Sequence, residues 1–235
     1  MDETGEIDWA AVAAYQPVGR STEGRRAAVL APFLERDGRA RLLFTRRADY
    51  LGEHPGQMSF PGGGVEPIDA DLEATARREA NEEIGLDPTD AEIVGRLDEI
   101  VTVSNYVVTP FVARVPDQTY TPDDYEVAEV VTPAVADLID PANYESERRD
   151  HPEYGRVRLD FFHVDGCTVW GATGRMLAQL LTVATDWTVP PEARVEGRPG
   201  TDRNEAVGAA TGAEPVSDRV RDDADAYENE YDDGE

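Results

Sequence analysis

The chain has 235 residues, which is enough for one domain with extensions and a substantial core. Its 49 acidic residues outnumber the 22 basic ones, all of which are Arg, and the net charge of −27 argues against a basic face that binds nucleic acid. The single cysteine, Cys167, excludes an intrachain disulfide and a cysteine zinc site, as expected in a reducing compartment.

Export and membrane insertion are not expected. The N-terminal stretch has no basic segment before an apolar core, and no uncharged apolar run approaches the roughly 18 residues of a membrane span. We therefore expect a cytoplasmic protein with no membrane partner. Because so acidic a surface repels itself at low salt and stays solvated in a saline cytoplasm, a halophilic source is a further hypothesis.

The first half of the chain predicts a short helix and a β-hairpin. Residues 1–25 are expected to form an N-terminal extension with one weakly amphipathic helix between Ile7 and Tyr15. Two strands, 26–35 and 40–47, are joined at Asp37-Gly38, a dipeptide that closes hairpins. The extension is expected to pack on the edge of the domain and carries no predicted chemistry.

A helix is predicted from Asp71 to Ile84. Asp71 suits the N-cap, and Gly85 follows the last turn as a left-handed C-cap. After this helix, residues 91–103 and 106–115 are rich in β-branched residues and predict two further strands.

The second half predicts alternating elements and then a tail. Further strands are expected at 126–131 and 157–164, a helical turn at 133–138 and an apolar-faced helix at 171–184. Trp170 is expected in the core, and a base-stacking platform is the alternative. Strands and helices without a regular βαβ repeat favour an α/β (α+β) fold, a mixed sheet with helices on its faces, over 26–188. Residues 189–235 are acidic and lack a hydrophobic period, which predicts a disordered tail.

The predicted helix carries a crowded acidic face. Successive helical residues advance about 100°, so Glu79, Glu82 and Glu83 share roughly one third of the circumference. Like charges at this spacing repel one another, and a compensating cation is expected. Arg77 and Arg78 are local candidates, but hard divalent cations suit clustered carboxylates better.

Three glycines, Gly62, Gly63 and Gly64, precede the helix. Such residues allow close approach of the backbone or positive φ, and their amides near a helix N-terminus can cradle phosphate. Together with the carboxylate face they predict a site for the metal complex of a phosphate-bearing substrate. The alternative is an acidic solvated helix that follows an ordinary turn.

The segment "GGGVEPIDADLEATARREANEEIGL" resembles the Nudix box, in which a glycine, five residues, Glu and seven residues precede Arg-Glu-x-x-Glu-Glu-x-Gly and an aliphatic residue. Gly64 takes the place of the first glycine, while Ala70 stands where the first Glu belongs, with Asp69 beside it. The second half matches at every specified position, namely at Arg78, Glu79, Glu82, Glu83, Gly85 and Leu86.

Two more segments resemble the coenzyme A pyrophosphatase branch of that family. Leu42 to Gly63, "LLFTRRADYLGEHPGQMSFPGG", is similar to the signature that precedes the box, and Val169 to Leu177 is similar to the start of the last helix. Gly52 stands where the signature usually has Arg, so a contact to the coenzyme A phosphates is missing or comes from elsewhere. The resemblance covers residues 26–188.

The resemblance implies a Nudix α/β/α sandwich and an enzyme with Mg²⁺ or Mn²⁺. It implies hydrolysis of coenzyme A or a derivative to 3',5'-ADP and 4'-phosphopantetheine. The alternatives are hydrolysis of ADP-ribose or another nucleoside diphosphate derivative, and a noncatalytic nucleotide-binding module. The partner is a small nucleotide, and a homodimer is left open.

The resemblance also implies roles for individual residues. Glu79, Glu82 and Glu83 are the implied metal ligands, and Arg78 is the residue that fixes them by salt bridges. Asp69 is the implied equivalent of the missing first Glu. Either Glu126 or Glu129 is an additional acid or base, or a surface acid. The implied substrate-binding residues are Arg47, His54, Gln57, Gly62, Gly63 and Gly64.

Overall fold

The computed structural model describes residues 5–20, 23–50, 56–123, 125–151 and 155–190. His54 and the predicted tail from residue 191 onward lie outside these residues. The helices and strands are α1 (Trp9–Ala14), β1 (Arg25–Arg36), β2 (Arg39–Leu42), β3 (Phe44–Arg47), β4 (Met58–Ser59), β5 (Gly62–Gly64), α2 (Leu72–Ile84), β6 (Glu92–Arg96), β7 (Ile100–Val101), β8 (Tyr106–Arg114), β9 (Val127–Val131), α3 (Val135–Ile139), β10 (Tyr144–His151), β11 (Gly155–Val164), β12 (Cys167–Val169) and α4 (Gly171–Ala184), with a 3₁₀ turn at Pro141–Asn143.

A mixed sheet forms the centre of the fold. Its strand order is β2-β1-β8-β6, with β5 paired to β1 and β7 paired to β8. β1 and β8 run parallel, and the other pairs are antiparallel. β1 is apolar in nearly continuous sequence because helices cover both of its faces, with Ala28 and Leu30 on one side and Ala31 and Phe33 on the other.

The predicted hairpin is confirmed. β1 and β2 pair up to Arg36 and Arg39, which leaves Asp37 and Gly38 as a two-residue loop. Both loop residues have positive φ, 54° and 69°, as a type I′ turn requires. The second predicted strand, 40–47, divides at Leu43, so that β2 stays in the central sheet while β3 joins a second sheet of order β4-β3-β9.

Helix α2 follows its predicted boundaries. The Asp71 carboxylate accepts a hydrogen bond from the Ala74 amide at 2.8 Å, and Gly85 ends the helix with φ 67°. Ala76 and Ala80 are fully buried against β1. Their small side chains let the helix lie close to the sheet, and this fixes the distance of its glutamates from β5.

The opposite face of the sheet holds the larger core. α4 contributes Leu177, Leu180 and Leu181, and the N-terminal segment contributes Ile7 and Val12 to the same buried cluster. Helices on both faces of a mixed sheet confirm the predicted α/β/α fold. Within the described ranges, no helix is long and apolar enough to cross a membrane.

Several elements differ from the sequence predictions. β10 is an unpredicted strand because its sequence, YESERRDH, lacks apolar alternation; its antiparallel pairing with β11 defines it. The three glycines form strand β5 instead of a loop at the helix N-terminus. Trp170 is half-buried and stacks on Phe161 at 6.1 Å, outside both buried clusters, so its prediction as a core residue was wrong.

Candidate active site

The glutamate face of α2 lies directly against β5. A Cβ added to Gly63 would lie 2.5 Å from Oε1 of Glu79, and one added to Gly62 would lie 2.5 Å from the carbonyl oxygen of Ala28. Gly62 therefore requires glycine because a side chain would collide with the backbone of the neighbouring strand, whereas a side chain at Gly63 would displace the Glu79 carboxylate. The glycines bring the sheet into contact with the carboxylates.

Arg78 connects the acidic groups. Its Nε and Nη2 donate to the two carboxylate oxygens of Asp69 at 2.9 and 3.0 Å. Its Nη1 lies 3.0 Å from Glu79 Oε1 and 2.9 Å from Glu82 Oε2. Nη2 also donates to the carbonyl of Gly64 at 3.0 Å, so one guanidinium holds the helix, the loop before it and β5 together.

Asp69 serves as the buried anchor of Arg78. Its side chain is only 2% exposed, and the guanidinium beside it holds the pKa of the carboxyl well below its ordinary value. It also accepts hydrogen bonds from the Thr75 hydroxyl at 2.9 Å and the Glu66 amide at 2.8 Å. Sequence reasoning missed Thr75, although its position three residues before Arg78 on the helix was available as a signal.

Glu83 has the opposite environment. Its Oε2 is inaccessible to solvent and accepts no hydrogen bond. Burial, followed by the charges of Glu79 and Glu126, raises its pKa to about 8, against the smaller opposing effects of the Gly62 backbone and Arg47. Burial also raises the pKa of Glu79, an effect that Arg78 opposes. The site therefore concentrates acidic groups where water is scarce, and burial opposes the ionisation of Glu79 and Glu83.

Glu126 and Glu129, the two acids predicted beyond the box, are in different surroundings. The charge of Glu126 acts on both Glu79 and Glu83. Glu129 instead faces Arg46, with 3.3 Å between its Oε2 and the Arg46 Nε, and is 56% exposed. Glu126 is thus the one whose carboxylate acts on the glutamates of α2.

Arg47, Gln57 and Arg77, the remaining predicted residues that the structure describes, have different contacts. Arg47 acts electrostatically on Glu83, and the carbonyl of Gln57 accepts a hydrogen bond from the Arg47 amide at 3.0 Å. The Gln57 amide nitrogen lies 3.7 Å from a Cβ built on Gly171, the first residue of α4. Arg77 does not compensate the site glutamates; its Nη2 pairs with Glu73 at 2.7 Å.

The residues present fit a divalent cation. Glu79, Glu82 and Glu83 offer hard oxygen donors from one rigid helix, and the orphaned Oε2 of Glu83 has an unfilled acceptor position. Among the side chains of the described ranges, no three carboxylate, imidazole or thiolate groups already have the spacing of a metal site. In this arrangement the Arg78 guanidinium lies between Glu79 and Glu82 and forms an ion pair with each of them.

The site is thus a glutamate helix packed on a strand of glycines, within a mixed sheet covered by helices. The NUDIX domain family model matches residues 24–152. Two bacterial relatives, each described as an uncharacterized Nudix hydrolase NudL, are similar to this chain. The protein of Enterobacter sp. strain 638 is 38% identical over 66% of this chain and 81% of its own length. The protein of Klebsiella pneumoniae is 34% identical over 70% of this chain and 85% of its own length.

The chain belongs to the Nudix hydrolase family. Among solved structures, a MutT/nudix family protein from Enterococcus faecalis is similar, with 13% identity and a TM-score of 0.49. The similarity covers 71% of this chain and 64% of that chain.

Proposed function

We propose that the protein hydrolyses the diphosphate linkage of coenzyme A or a derivative, giving 3',5'-ADP and 4'-phosphopantetheine. The observation that carries the hydrolase proposal is the buried, unpartnered Oε2 of Glu83 among Glu79 and Glu126. A buried carboxylate whose oxygen has no hydrogen-bond partner is unfavourable unless a cation binds there. Its presence at Glu83 therefore supports a metal site that uses these carboxylate oxygens as ligands.

Glu79, Glu82 and Glu83 would hold the Mg²⁺ or Mn²⁺. When bound, the cation would neutralise phosphate oxygens and help to activate water. Arg78, through its two bonds to Asp69, would keep the position that it has in this structure. The arginine then fixes the helix relative to β5 during turnover.

The reaction adds one water molecule across the bridging P–O–P group. The water oxygen forms a bond to one phosphorus, and the bond from that phosphorus to the bridging oxygen breaks. The bridging oxygen leaves on the other phosphate, and one proton of the water passes to a nearby base. Glu126 is the better candidate for this base because its carboxylate acts on Glu79 and Glu83, whereas Glu129 is paired with Arg46.

Support for coenzyme A comes from two distant segments. The stretches that resemble the coenzyme A branch, Leu42 to Gly63 and Val169 to Leu177, meet where Gln57 approaches Gly171. β4, in the first segment, also packs against β12, which ends at the start of the second. This contact gives the two segments one shared surface, from which a single substrate could be recognised.

The decisive experiment offers several substrates side by side. Purified protein is incubated with Mg²⁺ or Mn²⁺ in high potassium salt with coenzyme A, ADP-ribose, NADH and diadenosine polyphosphates, and the products are separated. We expect 3',5'-ADP from coenzyme A. Preference for another substrate would support the hydrolase activity but exclude coenzyme A as the main substrate. Binding without product would favour the noncatalytic nucleotide-binding module.

Two further proposals are tested on the same preparation. A halophilic source predicts that activity falls when the potassium salt is omitted, because the self-repulsion of the acidic surface is then unscreened. Full activity without salt would contradict it. The proposed homodimer is checked by the mass of the protein in solution.

A further inference from the structure

Two exposed tyrosines lie together near the carboxylate site. Among the large hydrophobic side chains that the described part of the chain leaves exposed, the aromatic ones are Tyr50 and Tyr125, 65% and 68% exposed. Their ring centroids are 6.2 Å apart, with an angle of 61° between the planes. The rings thus form a corner between two residues that are mostly exposed.

The turn that carries Tyr125 is tightly held. The carboxylate of Asp123 accepts hydrogen bonds from the amides of Tyr125 at 2.7 Å and Glu126 at 3.2 Å. The Tyr50 hydroxyl donates to the carbonyl oxygen of Tyr125. A turn and a Tyr50 side chain that are held before a ligand arrives lose little entropy on binding.

The same turn is attached to the catalytic helix. The amide of Asp123 donates to the carbonyl of Glu83 at 2.9 Å, and the carbonyl of Glu126 accepts from the amide of Ala48 at 2.9 Å. Tyr125 therefore immediately precedes the acid that acts on Glu83, and Tyr50 lies two residues after Ala48. These backbone contacts attach the turn at Tyr125 both to the glutamate helix and to the segment that leads to Tyr50.

The charge of the protein makes an aromatic contact useful. Carboxylates near the site repel the phosphates of a nucleotide, so uncharged groups can add binding free energy that the cation and Arg47 do not supply. An aromatic ring stacks on any nucleobase and contributes about 1–3 kcal/mol per base. Because the two tyrosines touch each other, a base would stack on the open face of one ring while the other borders it.

We propose that Tyr50 and Tyr125 form a stacking corner that binds the nucleobase of the substrate. This inference rests on the proposed function, because it assigns the base of the same diphosphate whose linkage is cut at the glutamates. The nucleotide half of a coenzyme A substrate would then bind at the turn that carries Tyr125. The pantetheine half of a coenzyme A substrate makes no stacking contact there.

Binding of the product halves tests the assignment without turnover. Calorimetry with Mg²⁺ measures the affinity of 3',5'-ADP and of 4'-phosphopantetheine for wild type, Tyr125→Leu, Tyr125→Phe and Tyr50→Leu. We expect the Leu variants to lose about tenfold affinity for 3',5'-ADP and none for 4'-phosphopantetheine. Tyr125→Phe keeps the ring and should stay within twofold of wild type.

Kinetics supply a second readout. If coenzyme A is hydrolysed, Tyr125→Leu should raise KM about tenfold with kcat nearly unchanged, since the base is held equally in the ground and transition states. Val103→Ala changes an exposed apolar side chain outside the corner, which is 54% exposed, and should alter neither value. Thermal unfolding checks that every variant is folded.

The outcomes separate the two proposals. If the protein cleaves no substrate but the Leu variants lose affinity for 3',5'-ADP, the stacking corner is supported and the proposal of hydrolase activity is overturned. Cleavage by a protein whose Leu variants bind 3',5'-ADP normally, or lose affinity for both halves equally, would overturn the corner. Failure of wild type to bind 3',5'-ADP would overturn it too.

Discussion

Glu83 and Glu99 are both largely shielded from water but have opposite electrostatic surroundings. Burial and neighbouring acids raise the pKa of Glu83 to about 8, and its Oε2 has no partner. Arg26 lowers the pKa of Glu99 to about 2, with help from the Arg20 amide and the Thr109 hydroxyl and against a smaller effect of burial. Glu99 joins the N-terminal segment to β1 and β8, whereas Glu83 lies on the helix that faces β5.

The difference separates a structural carboxylate from a functional one. Every acceptor position that the fold satisfies at Glu99 contributes to stability, whereas the unsatisfied oxygen at Glu83 costs stability and leaves an acceptor for a ligand. In so acidic a chain, carboxylate content alone does not identify a site; at Glu83 a buried oxygen without a hydrogen-bond partner coincides with the neighbouring acids Glu79 and Glu126.

Replacing Glu83 by Gln should have the largest effect on activity. The amide keeps the shape but removes a metal-ligand charge, and we expect kcat to fall by about 10³-fold in the product assay. The free energy of unfolding of the metal-free protein at neutral pH should rise on the order of 1 kcal/mol, because folding no longer requires this buried carboxyl, whose pKa is raised to about 8, to take up a proton. Chemical denaturation measures this second effect.

Glu73→Gln provides the matched control on the same helix. Glu73 pairs with Arg77 at 2.7 Å and takes no part in the glutamate face, so its activity should match wild type. If Glu83→Gln retains most activity, Glu83 is not a metal ligand. The contrast between a functional Glu83 and a structural Glu99 would then be wrong.

Gly63→Ala should misplace Glu79 without changing any charge. The added methyl group would lie 2.5 Å from Glu79 Oε1, so the carboxylate must move away from β5. A displacement of about 1 Å at a catalytic group costs up to about 10²-fold, and we expect kcat to fall by about 10- to 100-fold. Gly64→Ala, whose Cβ would meet nothing closer than 3.9 Å, should lose less. Equal losses would contradict the contact with Glu79 as the cause.

Glu99→Gln should destabilise the fold and spare the chemistry. Because the pKa of Glu99 is lowered in the folded state, its stabilisation is complete above its ordinary value of 4.5 and is lost as the pH falls through about 2. We expect the variant to lose on the order of 1–3 kcal/mol at pH 7, and the difference from wild type to shrink below about pH 4.5. Urea unfolding across pH 2–7 measures both.

Glu92→Gln is the control for that comparison. Its partner Arg114 lies 3.9 Å away and Glu92 is 68% exposed, so the change should stay within about 0.5 kcal/mol. A pH-independent deficit in Glu99→Gln would show that packing, and not the lowered pKa, accounts for its stability.

Local signals predicted the elements that carry the site. α2 was found with both caps because Asp71 and Gly85 mark the ends of an amphipathic run, and the Asp37-Gly38 turn was found because few dipeptides tolerate two positive φ angles. The family-like spacing predicted the glutamates and Arg78. These features depend on neighbours within a few residues along the chain.

Features that depend on distant neighbours could not be predicted. β10 exists because β11 pairs with it, and β5 is a strand because Gly62–Gly64 pairs with β1. The partners of Glu126 and Glu129 follow from how β9 lies beside β3, since Arg46 is opposite Glu129 in that register. One sequence offers no signal for which of these two acids acts on the glutamates of α2.

Glu126→Gln and Glu129→Gln test which of the two acids acts in the reaction, and their expected effects are the smallest. Glu129 is exposed and its contact with Arg46 is 3.3 Å, so its replacement should change activity less than twofold and stability by no more than about 0.5 kcal/mol. Glu126→Gln removes the acid that acts on Glu79 and Glu83 and should lower kcat by at least about tenfold. The reverse ranking would place the additional acid at Glu129, and Arg46 would then be the residue that positions it.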